Sequence, residues 1–369
     1  MLVTTAILTG LALAFANGAN DNSKGVATLV GSRAMELGKA LRYAAVTTLL
    51  GSFAAILLAQ TLVDRFGGKG IVADDLARLP AFAASVGIAA SLTVLLATRL
   101  AMPISTTHSL VGSIVGIGLA AGALDAPTVV KVFLIPLLVS PAIALGLAAV
   151  AYSVARATRR RLGVTRETCV CLDRSFEPVA IGADGAIMLR STGAVLDVAN
   201  REQCVERYSG QVVGLDAQRI LDVCHLLTAG AVSFARGLND TPKIAAVMVA
   251  AGALGSAHPA VALVATGIFI AAGGLLMVRR VAETMSERIT EMNDGQAFTA
   301  NLVTAFLVIF ASKLGVPVST THVSCGSLFG IGAVSGKGHW STIATIVLAW
   351  VTTLPVAGLI GVLAWTVLS

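Results

Sequence analysis

Apolar residues fill this chain in long runs, and polar residues are gathered into short interruptions between them. The runs cover 2–16, 43–63, 80–98 and 128–154, then 222–235, 244–256, 259–278, 297–312 and 341–368. A helix of roughly 20 apolar residues crosses the hydrocarbon of a bilayer, so the runs predict membrane spans. From about 156 to 220 the pattern changes to short alternating stretches, TCVCLD, PVAIG and AIMLRS, with a turn at Ala183-Asp184-Gly185. Strand-turn-strand signals of this kind predict a small β-rich soluble insert. The chain thus divides into a first membrane repeat, 1–155, the insert, 156–220, and a second membrane repeat, 221–369.

The interruptions occur twice. PISTTHSLVGSIVGIG begins at Pro103 and PVSTTHVSCGSLFGIG at Pro317, identical at ten of sixteen positions. GANDNSK from Gly18 has its counterpart in GLNDTPK from Gly237. The offsets agree closely, 239 − 20 = 219 for the Asn pair and 317 − 103 = 214 for the Pro pair. Matching polar breaks in two apolar halves mark the binding site of a repeat-built transporter. Each Pro-x-Ser-Thr-Thr-His suits the start of a helix and sits badly within one. Both segments are therefore expected as re-entrant hairpins or broken helices, tolerated where backbone lines a cavity. Gly112/Gly116 and Gly326/Gly330 also have the small-xxx-small spacing of helix packing faces.

Composition supports the membrane assignment. The chain is 56% hydrophobic and 12% charged, where a soluble domain carries about 25% charged residues. A net charge of +6 reflects basic residues at span ends, not a nucleic-acid surface. Arg156, Arg159, Arg160 and Arg161 follow a span directly and place the insert in the cytoplasm by the same rule. The opening MLVTTAILTGLALAFANGAN lacks a basic leader and is expected as a retained first span. Cys169, Cys171 and Cys204 have no CxxC or His spacing and are expected as reduced thiols.

The duplicated motifs carry the chemistry. Ser105, Thr106 and Thr107 stand at one helix start, and Ser319, Thr320 and Thr321 at the other. A helix N-terminus offers free N–H groups and positive partial charge, and hydroxyls add neutral donors. Two copies make a cradle for a tetrahedral oxyanion. Asn20-Asp21 and Asn239-Asp240 form a second constellation. An ionisable residue at membrane depth is costly, which makes Asp21 and Asp240 functional candidates. Lys24 and Lys243 each follow an aspartate by three positions, so a helix would put each pair on one face. The pairs either neutralise each other or take part in cation and proton coupling. His108 and His322 are structural imidazoles or proton shuttles. Glu283, Glu287, Glu291 and Asp294 have helical spacing and predict a solvated or interfacial helix face. Arg99 and Lys313 precede the motif prolines and predict snorkelling anchors.

FANGANDNSKGVATLVGS from Phe15, FARGLNDTPKIAA from Phe234 and both PxSTTH motifs resemble the inorganic phosphate transporter (PiT) family. The resemblance covers both membrane halves and leaves the insert outside it. It implies an all-α polytopic fold of two inverted repeats and an inorganic phosphate substrate moved with Na+ or H+. It places phosphate against Ser105, Thr106, Thr107, Ser319, Thr320 and Thr321, with Asn20 and Asn239 lining the site. It places Na+ at Asn20, Asp21, Asn239 and Asp240. Where the family follows GAND with small or neutral residues, this chain has Lys24 and Lys243, and Pro242 breaks the second motif. A fixed ammonium can stand in for a bound cation, so coupling to Na+ or to H+ is open.

Sequence thus predicts a secondary transporter without cofactor, multi-pass in a bacterial inner membrane, with a homodimer left open. A permease for sulfate or another tetrahedral oxyanion is the rival within the class. An enzyme using His108 or His322 as base lacks a nucleophile or metal cluster, and no Walker A motif indicates ATP drive.

Overall fold

Backbone amides in hydrocarbon have no water to bond, so apolar runs must satisfy them internally, as helices do. The computed structural model describes residues 1–67, 70–167, 171–181, 187–197, 207–209, 211–212, 215–250, 252 and 259–369. Five principal helices form the first half: α1 (Leu2–Asp21), α2 (Leu37–Leu58), α3 (Pro80–Arg99), α4 (Thr106–Ala120) and α5 (Ile135–Arg161). Five more form the second: α6 (Ala217–Ala250), α7 (Pro259–Leu276), α8 (Asp294–Lys313), α9 (Thr320–Ser335) and α10 (Trp340–Leu368). Among the described residues, six helices are long and apolar enough to cross a membrane: α1, α2, α3, Ala126–Arg161, α8 and α10. A seventh follows if Ala260–Leu276 and Arg279–Arg288, bent by 71°, count as one span. The chain is a mostly helical polytopic membrane protein. Leu57, Leu138, Leu348 and Leu363 remain exposed on its outside, a surface suited to lipid.

The chain forms two compact units, Met1–Ala155 with Leu221–Ser369, and Arg156–Ile220. The smaller unit carries three antiparallel strand pairs. β1 (Thr165–Glu167) pairs with β4 (Arg207–Ser209), and β5 (Gln211–Val212) with β6 (Leu215–Asp216). β2 (Cys171–Ile181) pairs with β3 (Ile187–Asp197), from Cys171 opposite Asp197 to Ile181 opposite Ile187. The turn expected at Ala183-Asp184-Gly185 lies outside the described residues, as do Cys169, Cys204 and the side chain of Cys171.

Within the larger unit, motif helix α4 packs on α10, and α9 packs on α5. Gly112 and Gly116 lie against Leu354 and Gly358, while Gly326 and Gly330 lie against Pro141 and Leu145. A Cβ at Gly326 would sit 2.6 Å from the Pro141 carbonyl oxygen. Helices in lipid associate through such close backbone approach, and here each motif helix is seated on the last long helix of the opposite half.

Three expectations change. The run 222–235 and the start of the run 244–256, as far as Ala250, form the single helix α6, which continues through Pro242. The proline removes one N–H and crowds the carbonyl four residues earlier. Helices in packed membrane cores accommodate this where neighbours meet the freed group. The run 43–63 is divided at Ala59, with Gln60–Phe66 as a separate short helix. The acidic series 283–294 is not one solvated helix face. A short helix and a π turn end by Arg288, and α8 starts afresh at Asp294 behind an Asn293–Gln296 capping box. Glu287 and Glu291 are exposed, but Asp294 is buried, with His225 Nδ1 at 3.6 Å.

Candidate functional site

Ser105 and Ser319 end extended backbone and start α4 and α9. Each serine Oγ accepts from the N–H three residues on, His108 at 3.1 Å and His322 at 3.2 Å. Both serines are therefore helix caps. An accepting hydroxyl still has a proton to donate. With the caps in place, the next two threonines of each motif are buried.

Thr106 Oγ1 accepts from Asn17 Nδ2 at 3.0 Å and donates to Asp21 Oδ2 at 3.4 Å. In the second half, Thr320 Oγ1 accepts from Asn239 Nδ2 at 3.2 Å and donates to Asp240 Oδ1 at 3.1 Å. So the middle threonine of each motif meets the aspartate of its own half. The last threonine does the reverse. Thr107 Oγ1 accepts from Lys243 Nζ at 3.1 Å, and Thr321 Oγ1 accepts from Lys24 Nζ. Each lysine also pairs with its own aspartate: Lys24 with Asp21, and Lys243 with Asp240 at 3.8 Å. A backbone carbonyl completes each set, Ile104 for Lys24 at 3.5 Å and Val318 for Lys243 at 2.5 Å. Each ammonium thus sits on a carboxylate, a hydroxyl and a carbonyl oxygen, the oxygen types that ligate hard cations.

Asn20 and Asn239 also bond the polypeptide around them. Asn20 Nδ2 donates to Thr98 Oγ1 and the Met102 carbonyl, both at 3.0 Å, and its Oδ1 accepts from Ile104 N–H at 3.1 Å. Asn239 Nδ2 donates to the Val318 carbonyl at 3.2 Å, and its Oδ1 accepts from Ser312 Oγ at 3.2 Å. Both amides brace the extended approach to a motif helix. The histidines are braced as well. Nδ1 of His108 lies 3.1 Å from the Trp350 carbonyl, and Nδ1 of His322 lies 3.1 Å from that of Leu137. The two rings meet edge to face with centroids 4.4 Å apart. Arg99 and Lys313 end α3 and α8 with exposed side chains, as span anchors do.

Two residues at the centre went unselected from sequence. Asn17 Nδ2 reaches Asp21 Oδ2 at 3.0 Å and Asp240 Oδ2 at 3.4 Å, besides Thr106. It joins the carboxylates of both halves. Its Oδ1 accepts from Arg236, whose side chain is buried. The signal was present: 236 − 17 = 219, the offset of the Asn pair, places Asn17 and Arg236 at the same repeat position. Among the described residues no cluster of three or more His, Cys, Asp or Glu is placed to hold a metal. What the arrangement can do is hold an anion: neutral hydroxyls, two helix starts and buried cations converge where both halves meet.

Comparison with known proteins agrees with this chemistry. The model of the phosphate transporter family matches residues 17–361. A protein of Pyrococcus abyssi bearing a phosphate permease name is 29% identical over 100% of this chain and 98% of its own length. Inorganic phosphate transporter 2-1, chloroplastic, of Arabidopsis thaliana is 28% identical over 98% of this chain and 71% of its own. A solved structure described as the sodium-dependent phosphate transporter shares the fold, with a TM-score of 0.74 at 23% identity, covering 100% of this chain and 98% of that one. With the family model spanning both motif pairs and all but the two ends, the chain belongs to the phosphate transporter family.

Proposed function

We propose that the protein is a secondary active transporter that moves inorganic phosphate across the membrane with a cation, Na+ or H+. Both repeats form one site, and access to it alternates between the two sides. The observation that carries this reading is the crossed pair of contacts, Lys24 to Thr321 and Lys243 to Thr107. A site whose two ligand sets are shared between halves changes whenever the halves move relative to each other. That is the geometry an alternating-access carrier needs.

Phosphate meets Thr106, Thr107, Thr320 and Thr321 first, with Ser105 and Ser319 holding the helix starts that face it. Asp21, Asp240, Lys24 and Lys243 carry the coupling charge. One oxygen of each carboxylate, Asp21 Oδ1 and Asp240 Oδ1, is engaged by an ammonium group where a Na+ would compete for it. Asn20 and Asn239 keep the motif loops in place. The residues 1–155 and 221–369 act as two repeats, and five matched principal helices per half support an inverted relation. The insert 156–220 lies on the cytoplasmic side of a bacterial inner membrane, on the strength of its arginine cluster. Transport, not catalysis, is the role: the two histidines that an enzyme would use as bases are each turned onto a backbone carbonyl.

The test is uptake of labelled phosphate into proteoliposomes with Na+ and H+ gradients imposed separately. Uptake driven by at least one gradient is expected. Equilibration that ignores both would make the protein a channel.

A further inference from the structure

Six charged residues are buried among the described residues: Asp21, Lys24, Arg236, Asp240, Lys243 and Asp294. Asp294 faces His225, which lies eleven residues before Arg236 on α6, about 16 Å along the helix. The other five meet around Asn17. There, three cations face two carboxylates, and both carboxylates are already engaged by lysines. The surplus falls on Arg236, 1% exposed.

Its contacts confirm the imbalance. Arg236 donates to Asn17 Oδ1 at 3.3 Å, Asn22 Oδ1 at 3.1 Å and Thr48 Oγ1 at 2.9 Å. All three acceptors are neutral. Its Nε has no hydrogen-bond partner, and no carboxylate lies within ion-pairing distance of it among the described residues. Asp21 and Asp240 act on it only from beyond ion-pairing distance, and a buried charge without a direct partner is strongly unfavourable. The guanidinium cannot escape by losing its proton. Three side chains of α1, α2 and the segment between them nevertheless hold it in place. The halves are otherwise matched, yet the first places a neutral amide, Asn17, where the second places this permanent cation.

We propose that Arg236 is an anion-binding residue and that the transported oxyanion is its counter-ion. The Nε–H has no acceptor and one Nη1–H is left over by the three contacts; they lie on different edges of the guanidinium, so an oxyanion meets a single charge-assisted donor and not a fork. Asn17 links it to Thr106 by two hydrogen bonds, so guanidinium and hydroxyl cradle lie on one short path. The assignment rests on the phosphate-transport reading and adds to it the residue that supplies the positive charge.

The experiment titrates inorganic phosphate into the purified full-length chain in detergent, as wild type, Arg236→Gln and Arg236→Lys. Thermal melting is run alongside to establish folding. R236Q is expected to weaken phosphate binding by about tenfold or more, as loss of a charge-assisted contact does, while R236K stays within about threefold. A folded R236Q with wild-type affinity overturns the assignment. So does R236K binding as weakly as a folded R236Q, because then shape and not charge is what matters. If R236Q does not fold, R236K decides alone: near-wild-type affinity supports the counter-ion role, and a tenfold loss overturns it. Wild-type uptake assays separate the two levels. No phosphate uptake by wild type would remove the transport reading itself and this assignment with it. Normal wild-type uptake beside unchanged R236Q affinity removes only Arg236.

Discussion

Lys243 Nζ donates to Thr107 Oγ1 at 3.1 Å, a contact between residues of opposite halves separated by 136 positions. Its counterpart, Lys24 with Thr321, spans 297 positions. Each motif helix is therefore held at its first turn by a charge from the other repeat, and along its length by the other repeat's last helix.

Removing those acceptors tests the cradle. Thr107→Val and Thr321→Val keep the side-chain size but take away the hydroxyl. Each is expected to cost about 1–3 kcal/mol in phosphate binding, the usual penalty for an unmet buried polar contact. Calorimetric titration with phosphate checks this, and unchanged affinity in both variants would remove the threonines from the site.

Asn20 and Asn239 are expected to behave as braces. Asn20→Ala leaves buried partners at Thr98, Met102 and Ile104 unmet. The expected loss is about 1–3 kcal/mol of stability, seen as a lowered melting temperature. A variant that melts as wild type does but no longer binds phosphate would instead make Asn20 a direct ligand.

Sulfate is expected to compete weakly in phosphate uptake. At neutral pH phosphate keeps a proton and sulfate does not, and one surplus positive charge balances only one negative charge. The wrong anion leaves charge unpaired beside Asp21 and Asp240. Equal competition by sulfate would favour a sulfate permease.

Coupling is expected to depend little on external Na+, because Lys24 and Lys243 already sit on carboxylate, hydroxyl and carbonyl oxygens. Uptake is compared with Na+ present and with choline in its place, for wild type, Lys24→Ala and Lys243→Ala. Strict Na+ dependence in wild type that neither variant alters would return both lysines to a structural role.

The helix contacts predict a packing defect. Gly326→Val is expected to destabilise the protein by at least about 1–3 kcal/mol, since the added carbon meets the Pro141 carbonyl. Thermal melting in detergent checks it, and wild-type stability would mean that α9 and α5 are not in close contact.

Much of this was legible before folding. Hydrophobic runs and the doubled Pro-x-Ser-Thr-Thr-His and Asn-Asp motifs are local patterns, and local patterns report helices and helix starts. The same reasoning gave 222–235 and 244–256 as separate spans, because whether one helix continues through a proline depends on its neighbours. It misjudged Asp294 for a similar reason: helical spacing cannot tell a solvated face from one turned toward His225. Nor could spacing show that the Asn20 and Asn239 amides bond Thr98, Met102, Ile104, Val318 and Ser312.

By itself the sequence determined that two similar membrane halves bring hydroxyls, carboxylates and ammonium groups into the chain at matching positions. The tertiary structure alone decided the partners. It sends each lysine to the opposite motif, sets Asn17 between two carboxylates, and leaves Arg236 without one. Composition and spacing act over a few turns of backbone, but a buried charge takes its partner from whatever packing brings within about 4 Å, and packing joins residues hundreds of positions apart.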